Sequence, residues 1–194
     1  MAKTSFKGST MLNPVPAVLI TSKNTEGKIN VFTVGWIGTA CTNPPMITVA
    51  IRKERLSYDN IKETKEFVVN LPGKDLVKSL DFCGVRSGRV VDKIKECNFI
   101  LEDSTEVSVP GIKQCAVSLE CKLRSITPLG SHDLFLADVV AINVESELID
   151  ENGKIHLDQA DLICYSHGEY FSLSNKPLGK FGYSVQKNKK GKHK

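Results

Sequence analysis

The sequence predicts a mainly β fold with a few helices, an antiparallel barrel that closes or nearly closes on itself. Six or seven segments read as strands, and the helical patterns are confined to the middle of the chain. The regular alternation of strand and helix that a doubly wound sheet needs is missing. The chain has 194 residues, 41% hydrophobic and 25% charged, enough to bury one full core and too apolar for disorder. The expected organisation is one domain over residues 1–186, followed by a Lys-rich tail, 187–194, expected to be disordered.

Each element follows from its local pattern. Val15 to Ser22 reads as a strand, Glu26-Gly27-Lys28 as a turn, and Ile29 to Ile37 as the second arm of a hairpin. From Met46 to Arg52 the residues alternate, with Ile47, Val49 and Ile51 on one face and Met46, Thr48, Ala50 and Arg52 on the other. Phe67 to Leu71 is a short apolar β run. The cleanest alternation sets Cys115, Val117, Leu119, Cys121 and Leu123 against Ala116, Ser118, Glu120 and Lys122, the signature of a half-buried antiparallel strand. Leu134 to Val144 follows as another long strand after the turn-rich Pro128–Asp133. Helices are predicted over Ser57 to Glu66, with Ser57 as N-cap, over Asp75 to Phe82, and over Asp92 to Cys97.

Charge and cysteine usage narrow the function classes. The formal charge of +4 arises from Lys187, Lys189, Lys190, Lys192 and Lys194; without these five the rest stands near −1. A basic tail attracts nucleic acid or anionic lipid weakly, but a solvated chain end gives the same pattern and the folded part is near neutral, so neither partner is expected. No run reaches the eighteen or so apolar residues of a membrane span, and the first residues lack the apolar stretch of a secretory signal. A cytoplasmic protein is expected. Of the six cysteines, Cys115 and Cys121 share a strand face roughly 20 Å apart, beyond disulfide reach. Cys41, Cys83, Cys97 and Cys164 are scattered, and no zinc-type spacing occurs. All six read as small buried hydrophobes in a reduced compartment, and no metal is expected.

Three constellations carry chemistry. Arg52 and Lys53 end a strand just before a helix that begins near Ser57, the arrangement of an anion site, though capping beside a solvated strand end gives the same pattern. Gly35-Trp36-Ile37-Gly38-Thr39-Ala40 lets a flat ring approach the backbone and offers the Thr39 hydroxyl, with Trp36 either a stacking wall or core. Gly130-Ser131-His132-Asp133 opens a strand, and His132 is a proton donor, a positioning group or a turn histidine. Lys93, after the Arg-Ser-Gly-Arg loop, either reaches an anion or lies on the surface. No Gly-x-Ser-x-Gly elbow and no dinucleotide-binding glycine fingerprint is present.

Five segments, in order, resemble the flavin reductase-like family of FMN-binding split barrels, and within it the flavoredoxin type. They are Thr-Val-Gly-Trp-Ile-Gly-Thr-Ala-Cys-Thr-Asn-Pro-Pro-Met at 33–46, Glu-Phe-Val-Val-Asn-Leu-Pro at 66–72, Arg-Ser-Gly-Arg-Val-Val-Asp-Lys at 86–93, Gly-Ser-His-Asp-Leu-Phe at 130–135 and Lys-Pro-Leu-Gly-Lys-Phe-Gly at 176–182. The resemblance implies an antiparallel split β-barrel that binds FMN in a cleft at a homodimer interface. It implies cofactor contacts from Asn30, Thr33, Gly35, Trp36, Thr39, Ala40, Cys41, Arg52, Lys53, Ser57 and Lys93. Arg52, Lys53 and Ser57 would hold the phosphate. His132 would be the catalytic candidate beside the nicotinamide, preceded by Ser131 where many reductases carry Asp. The implied activity is hydride transfer from NADH or NADPH to the flavin and electrons on to an acceptor. The alternative is a non-enzymatic FMN protein relaying electrons to a redox partner. A binding module that uses the lysine tail for nucleic acid is a third reading, which predicts strongly salt-dependent binding.

Overall fold

Twelve strands and three helices build the molecule, in the computed structural model, which describes residues 1–186; the Lys-rich segment expected to be disordered lies outside the described residues. The strands are β1 (Val15–Pro16), β2 (Val18–Lys23), β3 (Ile29–Val34), β4 (Ile37–Cys41), β5 (Met46–Ile51), β6 (Glu66–Leu71), β7 (Leu101–Glu102), β8 (Gly111–Ile112), β9 (Val117–Pro128), β10 (Asp133–Val144), β11 (Ile163–Ser166) and β12 (Glu169–Ser172). The helices are α1 (Leu56–Thr64), α2 (Val77–Val85) and α3 (Lys93–Glu96).

Seven strands form one antiparallel sheet in the order β3-β2-β6-β9-β10-β5-β4. Its inward side chains meet in a single cluster: Val18, Ile20, Phe32, Val34, Ile47, Val49, Ile51, Phe67, Val69, Cys121, Phe135 and Ala137, closed by Tyr58 and Ile61 of α1. Strands from both ends of the order share that cluster, so the sheet is rolled around it. The edge strands β3 and β4 are not paired with each other, which leaves the barrel split. Register shifts between Leu136 and Ala137 and between Val139 and Ala141 interrupt the long β9–β10 pairing, the kind of irregularity that bends a strand.

The outer face of β2 and β3 is buried as well. Ala17, Leu19 and Val31 pack against Leu80 and Cys83 of α2, with Phe99, Ile112, Cys115 and Ile163. Two-sided burial explains why Val18 to Ser22 is continuously apolar or small where a one-sided strand would alternate. β11 pairs with β1 and β12 to form a small second sheet beside this layer.

Three expectations are corrected. The run read as one strand from Ile29 to Ile37 bends at Gly35-Trp36 into β3 and β4, on opposite edges of the sheet. Val15 does not begin the strand that reaches Ser22; it belongs to the small sheet. The supposed solvent face of β9 is buried at Ser118 and Glu120, because the segment around Thr105–Val109 folds over it. The Glu120 carboxylate accepts from the backbone N–H groups of Thr105, Glu106 and Val107 and from Thr105 Oγ1 and Asn143 Nδ2. Buried charge is tolerated where hydrogen bonds satisfy it.

Candidate functional site

Two adjoining hollows open where the broken barrel edge meets α2. The first, of about 330 Å³, is walled by Thr33, Val34, Gly35 and Trp36 at the β3–β4 bend, by Ala50, Ile51 and Arg52 at the end of β5, and by Arg55. Asp81, Gly84 and Val85 of α2, His132 before β10, and Tyr165 and Tyr170 of the small sheet complete it. The second, of about 270 Å³, is lined by Asn30, Glu54, Arg55, Leu56, Arg86, Ser87, Gly88 and Lys93. Phe32 and Arg55 line both.

The carboxyl end of α2 organises the junction. A helix leaves its last carbonyls without intrahelical partners and carries partial negative charge there. Lys93 Nζ donates to the Cys83 carbonyl at 2.8 Å, Arg55 Nη1 donates to the Gly84 carbonyl at 2.9 Å, and the Thr33 hydroxyl donates to the Leu80 carbonyl. Two cations are thereby fixed side by side at the helix end. Burial holds the Lys93 ammonium below its ordinary pKa. Gly84 lets α2 lie against β3: a Cβ there would stand 3.3 Å from Thr33 Cβ.

The first hollow has an aromatic side. Tyr165 and Tyr170 meet edge to face, their ring centroids 5.6 Å apart. Tyr170 Oη donates to Asp81 at 3.1 Å, and burial followed by that hydrogen bond pushes the phenol up to about 12. Trp36 is 37% exposed, and its carbonyl accepts from Ala50 N–H at 2.9 Å, so the bend is tied to β5. Ser131 Oγ and His132 Nδ1 lie 2.9 Å apart.

The predicted residues fall into four groups. Thr33, Gly35, Trp36, Arg52 and His132 line the first hollow, and Asn30 and Lys93 line the second. Thr39, Ala40 and Cys41 run along the edge strand β4, with Thr39 and Ala40 exposed and Cys41 half-buried. Lys53 points its ammonium to Asp133 Oδ1 at 3.5 Å. Asp133 is buried and accepts from Tyr58 Oη at 2.7 Å, a bond that raises the phenol's pKa.

Ser57 is not the N-cap: α1 begins at Leu56 with Arg55 in the cap position, and Arg55 makes no side-chain cap bond. The Ser57 hydroxyl is fully buried, accepting from Ser22 Oγ at 2.7 Å and from Asn30 Nδ2 at 2.8 Å. A shift of two positions along the helix turns the hydroxyl into the barrel wall. Gly88 packs on the same network, since a Cβ there would fall 1.9 Å from Asn30 Oδ1.

Sequence reasoning missed Arg55, Asp81, Gly84, Arg86, Tyr165 and Tyr170. Arg55 had a signal, as the next cation after Arg52-Lys53. The two tyrosines had none, because only the tertiary packing of β11 and β12 brings them to the bend.

Comparison with known proteins identifies the family and the fold. The model of the flavin reductase like domain matches residues 10–174. An uncharacterized protein of Archaeoglobus fulgidus is 30% identical over 148 residues, 76% of this chain and 82% of its own length. Among solved structures, flavoredoxin from Methanosarcina acetivorans superposes with a TM-score of 0.84 at 27% identity, covering 96% of this chain and all of the other. Flavoredoxin of Desulfovibrio vulgaris (Miyazaki F) gives a TM-score of 0.88 at 22% identity, covering 95% of this chain and all of the other, a likeness of fold. An antiparallel split barrel matched over most of its length by that domain model belongs to the flavin reductase-like family.

Proposed function

We propose that the chain is an FMN-dependent oxidoreductase that takes hydride from NADH or NADPH and passes electrons to an acceptor. It would work as a cytoplasmic homodimer with the cofactor near the interface. The observation that carries this reading is the pair of joined hollows, one aromatic and one basic, in a chain of this family. FMN needs a flat, largely apolar space with cations nearby for its phosphate, and the residues present fit it. Trp36, Phe32 and the two tyrosines wall the first space, and Arg52, Arg55, Arg86 and Lys93 line the two hollows together with two carboxylates, Asp81 and Glu54.

When bound, FMN supplies the hydride-accepting and electron-releasing chemistry. The chain's own residues bind, orient and exclude water. Arg55 and Lys93 keep their charges in place because each is tied to a carbonyl of α2, so little reorganisation is needed to meet an anion. Arg52, at the rim, is held only by an exposed pair with Glu54 at 3.2 Å and is free to turn toward a ligand. His132, with Nδ1 engaged by Ser131, would orient the nicotinamide. Trp36, Tyr165 and Tyr170 would keep water from the reacting faces.

An absorbance spectrum of the purified protein, incubated with FMN and desalted, is the test. The expected result is flavin bands near one per chain, bleached within seconds by NADH or NADPH. A colourless protein that also fails to turn over NAD(P)H with free FMN overturns the proposal. The likeness to flavoredoxin from Methanosarcina acetivorans favours a second reading, an electron relay without its own NAD(P)H reaction. It predicts that FMN is retained but bleached only by a chemical reductant or a reduced protein partner.

A further inference from the structure

The six cysteines are all free thiols, and two of them, distant in sequence, lie together: Cys83 Sγ and Cys97 Sγ are 3.8 Å apart, 14 positions from each other along the chain. Cys83 sits in the last full turn of α2 and is fully buried among Leu80, Phe99 and Ile112; Cys97 follows α3 directly and is half-buried. A disulfide needs its sulfurs about 2.05 Å apart, so closing this pair requires an approach of roughly 1.8 Å. The segment between the two cysteines contains Arg86, Ser87, Gly88 and Lys93, one wall of the basic hollow.

We propose that Cys83 and Cys97 form a reversible dithiol–disulfide couple that clamps the 84–96 segment against α2 when oxidised. The oxidant is a small-molecule disulfide. Cys97, the more accessible sulfur, loses its proton to water and attacks one sulfur of the oxidant, releasing one small thiol and leaving a mixed disulfide. Cys83 then gives up its proton and displaces the second small thiol. Two protein thiols become one disulfide while the oxidant is reduced to two thiols. The order follows from access and from burial, which pushes the Cys83 thiol up to about 12 and makes it a poor first attacker. Lys93, hydrogen-bonded to the Cys83 carbonyl, couples the pair to the basic hollow. The clamp therefore acts on the loop that faces the ligand's anionic end, a consequence that rests on the FMN reading above.

The experiment uses the full chain, treated with oxidised glutathione and digested without reduction. The expected result is loss of two of the six titratable thiols, reversal by dithiothreitol, and one cross-linked peptide pair containing Cys83 and Cys97. Retention of all six thiols, a glutathione adduct persisting on Cys97, or a pairing that includes Cys41 or Cys164 in place of these two overturns the couple. Cleavage by trypsin at Arg86 and Arg89 in the native protein should slow at least fivefold on oxidation and be unaffected in Cys97→Ala; unchanged cleavage despite the cross-link overturns the clamp. An FMN titration of the oxidised and reduced forms is expected to differ at least threefold in Kd, and equal affinities overturn the coupling to the hollow. Absence of FMN binding in both forms would overturn the cofactor reading and leave the disulfide mapping standing.

Discussion

Two polar clusters in this molecule are built on opposite logic. Around Glu120 and Asn70 every strong group is matched. The carboxylate takes hydrogen bonds from three backbone N–H groups, a hydroxyl and an amide, and Asn70 bridges the Leu19 carbonyl, Ile112 N–H and Ser118 Oγ. Around Arg55 and Lys93 each cation makes one hydrogen bond, to a carbonyl of α2, and its other donors face a hollow. A buried group with all its capacity spent holds the fold. Cations held by one bond and left with spare donors are equipped to take a ligand. The first cluster stitches the 103–109 segment to β9; the second edges a cavity.

The largest break in this contrast is Glu120→Ala. It strands three backbone N–H groups under the covering segment, and about 3 kcal/mol or more of stability should go, read by urea denaturation. FMN affinity of the material that folds should be unchanged. The pH dependence has a definite sign. Burial alone would raise the Glu120 carboxyl, but the hydrogen bonds from Thr105, Asn143 and Glu106 outweigh it and hold the carboxyl below its ordinary value. A carboxylate with a depressed folded pKa stabilises the protein above the unfolded glutamate range, near 4.3, and that stability is lost as pH falls through the folded value. Glu120→Gln should flatten that acid limb; an unchanged limb would show that other carboxylates produce it.

Gly88→Ala comes next, because it forces a methyl onto Asn30 Oδ1, whose own amide is bonded to buried Ser57. The Asn30 side chain is buried and tied to Ser57, so it gives way only by losing that bond. Overpacking of this kind costs about 1–3 kcal/mol. Since Asn30 and Gly88 both line the basic hollow, weaker FMN binding should accompany the lower melting temperature. A variant with full stability and full affinity would show that the loop stands off from Asn30 in solution.

What the sequence revealed follows a physical line. β5 was legible because Ile47, Val49 and Ile51 alternate with residues of the other face, a period that needs no partner to be read. The division at Gly35-Trp36 was not, since Ile29 to Ile37 is apolar on both sides of the bend and only pairing shows where β3 stops and β4 begins. Glu120 was read as solvated because its partners are backbone N–H groups, which leave no mark in composition. Ser57 was placed on the correct helix but two positions out of its cap, and that displacement moved its hydroxyl from an anion site to the barrel wall. The meeting of Cys83 and Cys97 depends on how α2 and α3 pack, and no spacing rule contains it.

Arg55→Ala sharpens the comparison from the other side. It removes one hydrogen bond at the end of α2, so the stability loss should be about 1 kcal/mol. The guanidinium lines both hollows, and FMN Kd should rise at least tenfold. A large affinity loss with a small stability loss is the reverse of the Glu120→Ala pattern. If both quantities moved together, Arg55 would belong with the fold-holding cluster after all.

Arg52 and Lys53 give the smallest and most discriminating pair of changes. Both are more than half exposed, and exposed ion pairs contribute about 0–1 kcal/mol, so neither alanine variant should lose more than that. Their partners differ. Arg52 faces Glu54, which water can solvate, whereas Lys53 faces Asp133 Oδ1, a buried oxygen with no hydrogen bond among the described residues. Arg52→Ala should therefore leave stability unchanged and weaken FMN binding a few-fold. Lys53→Ala should weaken FMN binding with the fold retained if its ammonium serves the phosphate. Unchanged FMN affinity together with a small but measurable fall in melting temperature would assign Lys53 to Asp133 instead, and the phosphate to the cations gathered at the end of α2.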